Sequence, residues 1–209
     1  IAEENGSLHL AWLSENVAAG ETRLVYSLHG APPITISQNV QEFQIQNVEG
    51  FDMVVDVNGD VHFVWVTTSD LVEDGITSTD KDLYHRILRK DAAQAEANWE
   101  GTPLVRVPVV EIAESEQKDD EMPSLFADAS GNIHLVWQRT LVEVNTGVCT
   151  QDPLMNPFDN PDGCTFAVNR TTIEYASFNA VTETWSLNRD LSNGAGTAVN
   201  PSIVGNNSG

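Results

Sequence analysis

One phrase occurs three times along the chain: GSLHLAW (6–12), GDVHFVW (59–65) and GNIHLVW (131–137). A repeated phrase implies a repeated supersecondary unit that buries its apolar face only by stacking on its neighbours, so it restricts the fold more than any other feature here. Three residues before each glycine stands an acid, Glu3, Asp56 or Asp128, and NPSIVGNNSG (200–209) begins a fourth copy with Asn206 and Gly209 in the matching places. Successive glycines lie 53, 72 and 78 residues apart. Periods of about 40 to 50 residues, lengthened by insertions, describe propeller blades or helical arrays, and strand content decides between them.

Each unit reads as four strands. In the third copy, PSLFAD and IHLVWQR flank the turn DASGN, a hairpin signal with glycine available for positive φ. A third strand carries a tyrosine in every copy (Tyr26, Tyr84, Tyr175), and the fourth is ITISQNV, WEGTPLVRVP or TWSLNRDLS. The weak helical period of RKDAAQAEAN (89–98) reads as a loop holding at most one helical turn. The expected fold is therefore all-β: a β-propeller of four-stranded antiparallel blades, three of them in a single partial domain over 1–209. The units run approximately 1–49, 50–121 and 122–200, and 201–209 starts another. Three blades fall short of the usual ring of about four to eight. The chain is thus expected to be part of a six- or seven-bladed ring, or half of a dimeric ring in which PSIVG of one copy pairs with SLHLAW of the other.

Units of the form PSLFADASGNIHLVW, followed by an E-Y strand and a T-W-S strand, resemble those of the sialidase-like, BNR-type propellers over essentially the whole chain. The resemblance implies the propeller fold. For function it implies one of several activities, because this superfamily holds glycosidases, polysaccharide lyases, lectins and scaffold domains. Two departures matter. The sialidase Asp-box, S-x-D-x-G-x-x-W, places its Trp three residues after the Gly, whereas Trp137 comes six after Gly131. The arginine triad of sialidases has no matching phrase among the arginines at 23, 86, 89, 106, 139, 170 and 189.

A single site breaks the symmetry of a ring, so residues that repeat in every unit read as structural. His9, His62 and His134 are expected as neutral imidazoles that donate to a backbone carbonyl or to the turn acid, in preference to a shared metal or acid–base role. Trp12, Trp65 and Trp137 are expected to fill the gaps between blades, in preference to stacking on sugar rings. Asp56 and Asp128 are expected to accept backbone hydrogen bonds in an Asx-type turn.

Charge narrows the partners. Against 31 acidic residues stand 10 basic ones, only Lys81, Lys90 and Lys118 being lysines, for a net charge of −21. Such a chain repels nucleic acid and suits cations, calcium above all, cationic partners or a saline habitat, against the plainer reading of a solvated acidic face. It opens at Ile1 with no basic-then-apolar leader and has no run near the roughly 20 apolar residues that span a bilayer, and so reads as a soluble mature product or fragment. Cys149 and Cys164 lie in a Pro/Asn/Asp-rich stretch, where a disulfide closing a loop implies an oxidising, secreted or cell-surface setting; two free thiols are the alternative.

What differs between units is insertions. The Trp-to-Tyr spacing grows from 14 (Trp12 to Tyr26) to 19 (Trp65 to Tyr84) to 38 (Trp137 to Tyr175), on a face where binding usually lives. The binding candidates are Asp70, Glu73 and Asp74 in the second insertion, Asp152 in the third, and Arg139. In DNPDG, Asp159, Asn160 and Asp162 are the candidate calcium ligands, against the plainer reading of an ordinary turn. The unrepeated loop from Leu141 to Arg170 is where function is expected. No nucleophile–base phrase stands out, so the balance falls toward a non-catalytic extracellular module that binds a glycan or a protein through an acidic loop face. A propeller glycoside hydrolase, sialidase-like, or a polysaccharide lyase is the alternative.

Overall fold

The computed structural model describes residues 8–16, 20–28, 31–37, 47–68, 72–73, 76–77, 81–90, 105–106, 118–147, 164–193 and 197–205, with the backbone alone at 68, 72–73, 76–77, 105–106, 142–147 and 164–169. The described residues are all-β, with no helix, and form three antiparallel sheets and one short hairpin. The first sheet joins β1 (His9–Asn16), β2 (Glu21–Leu28) and β3 (Ile34–Thr35). The second begins with β4 (Val48–Val55) and β5 (Val61–Thr68). After the hairpin β6 (Val72–Glu73) and β7 (Ile76–Thr77), it continues with β8 (Lys81–Leu88) and β9 (Val105–Arg106). The third joins β10 (Lys118–Ala127), β11 (Ile133–Gly147) and β12 (Cys164–Asn179), and β12 pairs outward with both β13 (Thr184–Trp185) and β14 (Arg189–Asp190).

The turn inside the repeated phrase forms as its chemistry dictates. Asp56 Oδ1 accepts the backbone N–H of Asn58 (2.9 Å) and Asp60 (2.8 Å), and Asp128 Oδ1 accepts those of Ser130 (2.8 Å) and Asn132 (2.9 Å). Gly59 (φ 84°) and Gly131 (φ 82°) take the left-handed position that closes each loop, a conformation in which a Cβ is strained. Strands leaving these turns carry apolar residues at both parities, as strands covered on both faces must. In β5 one face holds Phe63 and Trp65 and the other Val64 and Val66, all fully or almost fully buried.

Two apolar seams hold the sheets together. In one, Leu24, Tyr26, Ile34 and Ile36 of the first sheet meet Val61, Phe63 and Trp65 of the second. In the other, Val64, Val66, Leu83 and Ile87 of the second meet Leu125, Ile133, Leu135 and Trp137 of the third. The tryptophans at 65 and 137 sit in these seams. Trp12 does not: with Leu8 and Leu10 it lies exposed on the outer face of the first sheet.

A hydrogen bond crosses the second seam, from the Leu125 N–H to Asp52 Oδ2 (2.7 Å). At the matching positions of the repeat, the Ile203 N–H meets Ser124 Oγ (3.3 Å), so the start of the fourth copy docks on the third sheet as β10 docks on the second. Even the backbone matches: Met122 and Asn200, equivalent residues ahead of a proline, have φ of 54° and 57°.

The structure corrects two expectations. The stretch from Leu141 to Arg170 is not all loop, because β11 and β12 stay paired from Leu141↔Arg170 out to Gly147↔Cys164 as a two-stranded arm. And the recurring tyrosine is Tyr26 and Tyr175 but not Tyr84. Tyr26 pairs across from Ala11 and Tyr175 from Val136, each two residues after the phrase histidine. The residue across from Val64 is His85, and Tyr84 faces the other way, stacked on Trp65 with ring centroids 6.0 Å apart. A shift of one residue in a strand exchanges its faces.

Each phrase histidine uses that partner. His9 Nδ1 and His134 Nδ1 each lie 2.8 Å from a tyrosine hydroxyl, of Tyr26 and Tyr175, while His62 Nδ1 lies 3.1 Å from His85 Nε2. His134 Nε2 also reaches the turn acid, Asp128 Oδ2, at 3.2 Å. His134 thus ties two strands and the turn together.

Candidate functional site

Where β5 ends and β8 begins, the second seam opens at its rim. Lys81, the first residue of β8, extends its ammonium between two carboxylates, Glu49 of β4 (2.8 Å) and Glu121 of β10 (2.5 Å), and its backbone N–H donates to Asp119 Oδ1 (3.2 Å). The bonds to Glu121 and then Glu49 raise the Lys81 pKa against the opposing cost of burial, fixing the ammonium in its charged form. Lys81 thus stitches the second and third sheets together where both bulge: the pairing register shifts between Val48 and Gly50 and again between Glu121 and Ser124. Bulges of this kind re-aim side chains at sheet rims.

Beside the bridge is a cleft of about 250 Å³ lined by Glu49, Gly50, Phe51, Val66, Glu121, Met122 and Pro123. Its wall is apolar and its lip carries carboxylate oxygens.

Beneath the rim, Arg139 is fully buried on β11. Its Nε and Nη2 fork onto the Asp120 carboxylate at 2.8 and 3.0 Å, the Trp137 indole N–H donates to the same carboxylate at 2.7 Å, and the guanidinium lies 5.7 Å from the Trp137 ring centre. Burial pushes the Asp120 carboxyl up, and the bonds from Arg139 and Trp137 oppose it. Arg139 Nη1 has no hydrogen-bond partner among the described residues. This buried pair sets the rim's position, and Arg139 acts from below the surface rather than on it.

The other candidates divide plainly. Glu73 sits in the β6–β7 hairpin of the insertion that leads to Lys81, paired across from Ile76. Asp70, Asp74, Asp152, Asp159, Asn160, Asp162 and Cys149 lie outside the described residues, as does nearly all of 89–98, and Cys164 is described only as the first residue of β12. Among the described residues no group of three or more His, Cys, Asp or Glu is placed to hold a metal, and no helix is long and apolar enough to cross a membrane. Glu49 and Phe51 were missed in the sequence because their phrase, EGFD, shows nothing until the two first strands lie side by side, whereas Glu121 closes the acidic run EIAESEQKDDE (111–121), read there only as part of an acidic face. No protein-family model and no curated protein matches this chain.

Proposed function

We propose that the three sheets are successive blades of a β-propeller, and that the protein is a binding module outside the cell that takes a glycan on the acidic rim between the second and third sheets. Support for the blades comes from the recurring seam contact, Leu125 to Asp52 and again Ile203 to Ser124, since a bond repeated at equivalent positions is what stacking by rotation produces. The binding reading rests on the cleft between Glu49 and Glu121. Carboxylate acceptors suit sugar hydroxyls, and an apolar wall of Phe51, Met122 and Pro123 suits the C–H face of a ring. Calcium at Asp159, Asn160 and Asp162, and a Cys149–Cys164 disulfide, belong to the same proposal: calcium at about 100 times its Kd adds about 2.7 kcal/mol of stability, and chelator removes it.

A glycan panel assayed for binding and for product tests it. Saturable binding without product is expected, weakened about tenfold or more, roughly 1.4 kcal/mol, by Phe51→Ala or Glu121→Gln. Product release makes the protein a glycoside hydrolase or lyase. Binding that ignores both substitutions removes the cleft from the proposal.

A further inference from the structure

The pair His62–His85 has no counterpart in the other sheets, where a tyrosine takes the second place. Both rings are almost fully buried, stacked at 5.3 Å, and packed edge-on against Phe178 at 5.6 and 5.0 Å. The Trp185 indole N–H of β13 donates across the seam to His85 Nδ1 at 3.2 Å.

These contacts leave one arrangement of protons. An indole nitrogen only donates, so His85 Nδ1 must be bare and its proton must sit on Nε2. That N–H then donates to His62 Nδ1, which puts the His62 proton on Nε2, a buried atom with no hydrogen-bond partner among the described residues, 3.8 Å from Asp56 Oδ2. The chain Trp185→His85→His62 runs in one direction through two neutral imidazoles.

Neither ring can take a further proton and keep the chain. A proton added to His85 goes to Nδ1, where the indole N–H already points. A proton added to His62 goes to its Nδ1, which forces His85 Nε2 to become an acceptor and moves the His85 proton to Nδ1, against the same indole. We propose that His62–His85 is an acid-operated latch between the second and third sheets: uptake of one proton ejects Trp185 from His85 and frees β13 from the second sheet.

The charged groups around the pair are few. Asp56 faces His62 from the turn, and Arg89, at the end of β8, bridges Asp60 (2.7 Å) and Glu183 (2.5 Å), the latter from the third sheet. Burial first, then the adjoining His62 ring and the Arg89 charge, hold His85 well below its ordinary value. With the closed-state value depressed, the latch is at full strength above the free histidine value of about 6.5. Below it the open form gains about tenfold per pH unit for each proton bound, until the closed-state value is reached.

Indole N–H resonances of the full chain, followed from about pH 7 to pH 4.5, test this. Trp185 is expected to move with a midpoint below about 6.5 while Trp137, bonded to Asp120, stays in place, and His85→Tyr, which installs the residue of the other sheets, is expected to abolish the movement. A stationary Trp185, joint movement of Trp185 and Trp137, or the same transition in His85→Tyr overturns the latch. Trp185→Phe gives a second reading: it keeps the ring contact and removes the donor, so the His85 imidazole is expected to titrate at higher pH, and an unchanged midpoint overturns the proposal.

Discussion

Trp12 and Trp65 stand at the same place in the same phrase, yet Trp12 is 39% exposed and Trp65 is 0% exposed. The same contrast runs along the strands: Leu8 and Leu10 lie open while Val61 and Phe63 are sealed. The phrase is written for a strand with neighbours on both sides, and whether it gets them is decided by the sheet that packs before it. In the second sheet that cover is Leu24, Tyr26, Ile34 and Ile36; in the first sheet Leu8, Leu10 and Trp12 stay exposed.

The contrast can be broken most forcefully at the buried end. Arg139→Met strands Asp120 in the interior with only the Trp137 bond, and a loss of about 3–5 kcal/mol in urea unfolding is expected. Trp65→Ala is expected to cost about 3–5 kcal/mol through the cavity it leaves. Gly131→Ala forces a Cβ into φ of 82° and is expected to cost about 1–2 kcal/mol. Trp12→Ala sharpens the comparison from the open side: less than about 1.5 kcal/mol is expected in the chain alone, because little burial is lost. In a closed ring, where a further sheet covers that face, the cost should rise toward that of Trp65→Ala; equal small costs in both settings would mean the face stays open.

Acid tests the turns. Against the cost of burial, which pushes them up, the nearby His62 ring and hydrogen bonds from Asp60 and Asn58 hold the Asp56 carboxyl below the ordinary range, and hydrogen bonds from Asn132, His134 and Ser130 do the same for Asp128. A depressed carboxyl lends stability above its unfolded value of about 3.9 and loses it as pH falls through its folded one, so this small decline belongs below about pH 4, clear of the histidine window.

Much of the fold was legible because its signals are local. Asp at the first turn position and Gly at positive φ are requirements of the loop itself, and alternating or doubly apolar runs announce strands wherever they occur. Tyr84 shows where that legibility ends. Tyrosine and histidine are adjacent in DLYHRIL, and matching tyrosine to tyrosine selects the wrong face, since only the pairing of β8 with β5 says which of the two meets the phrase histidine. The candidate site was less legible still: Glu121 stood out only as one acid in the run EIAESEQKDDE, and the named candidate nearest the rim, Arg139, lies below the surface.

The sequence by itself determined the repeated unit, its turn, its all-β character and its acidic charge, because these follow from backbone stereochemistry and composition. Only the tertiary structure decided which tryptophan is sealed, that two histidines meet an indole across a seam, and that Glu49, Lys81 and Glu121 form one bridge. Those outcomes depend on what packs against a strand's far face, and a single strand carries no record of its neighbour.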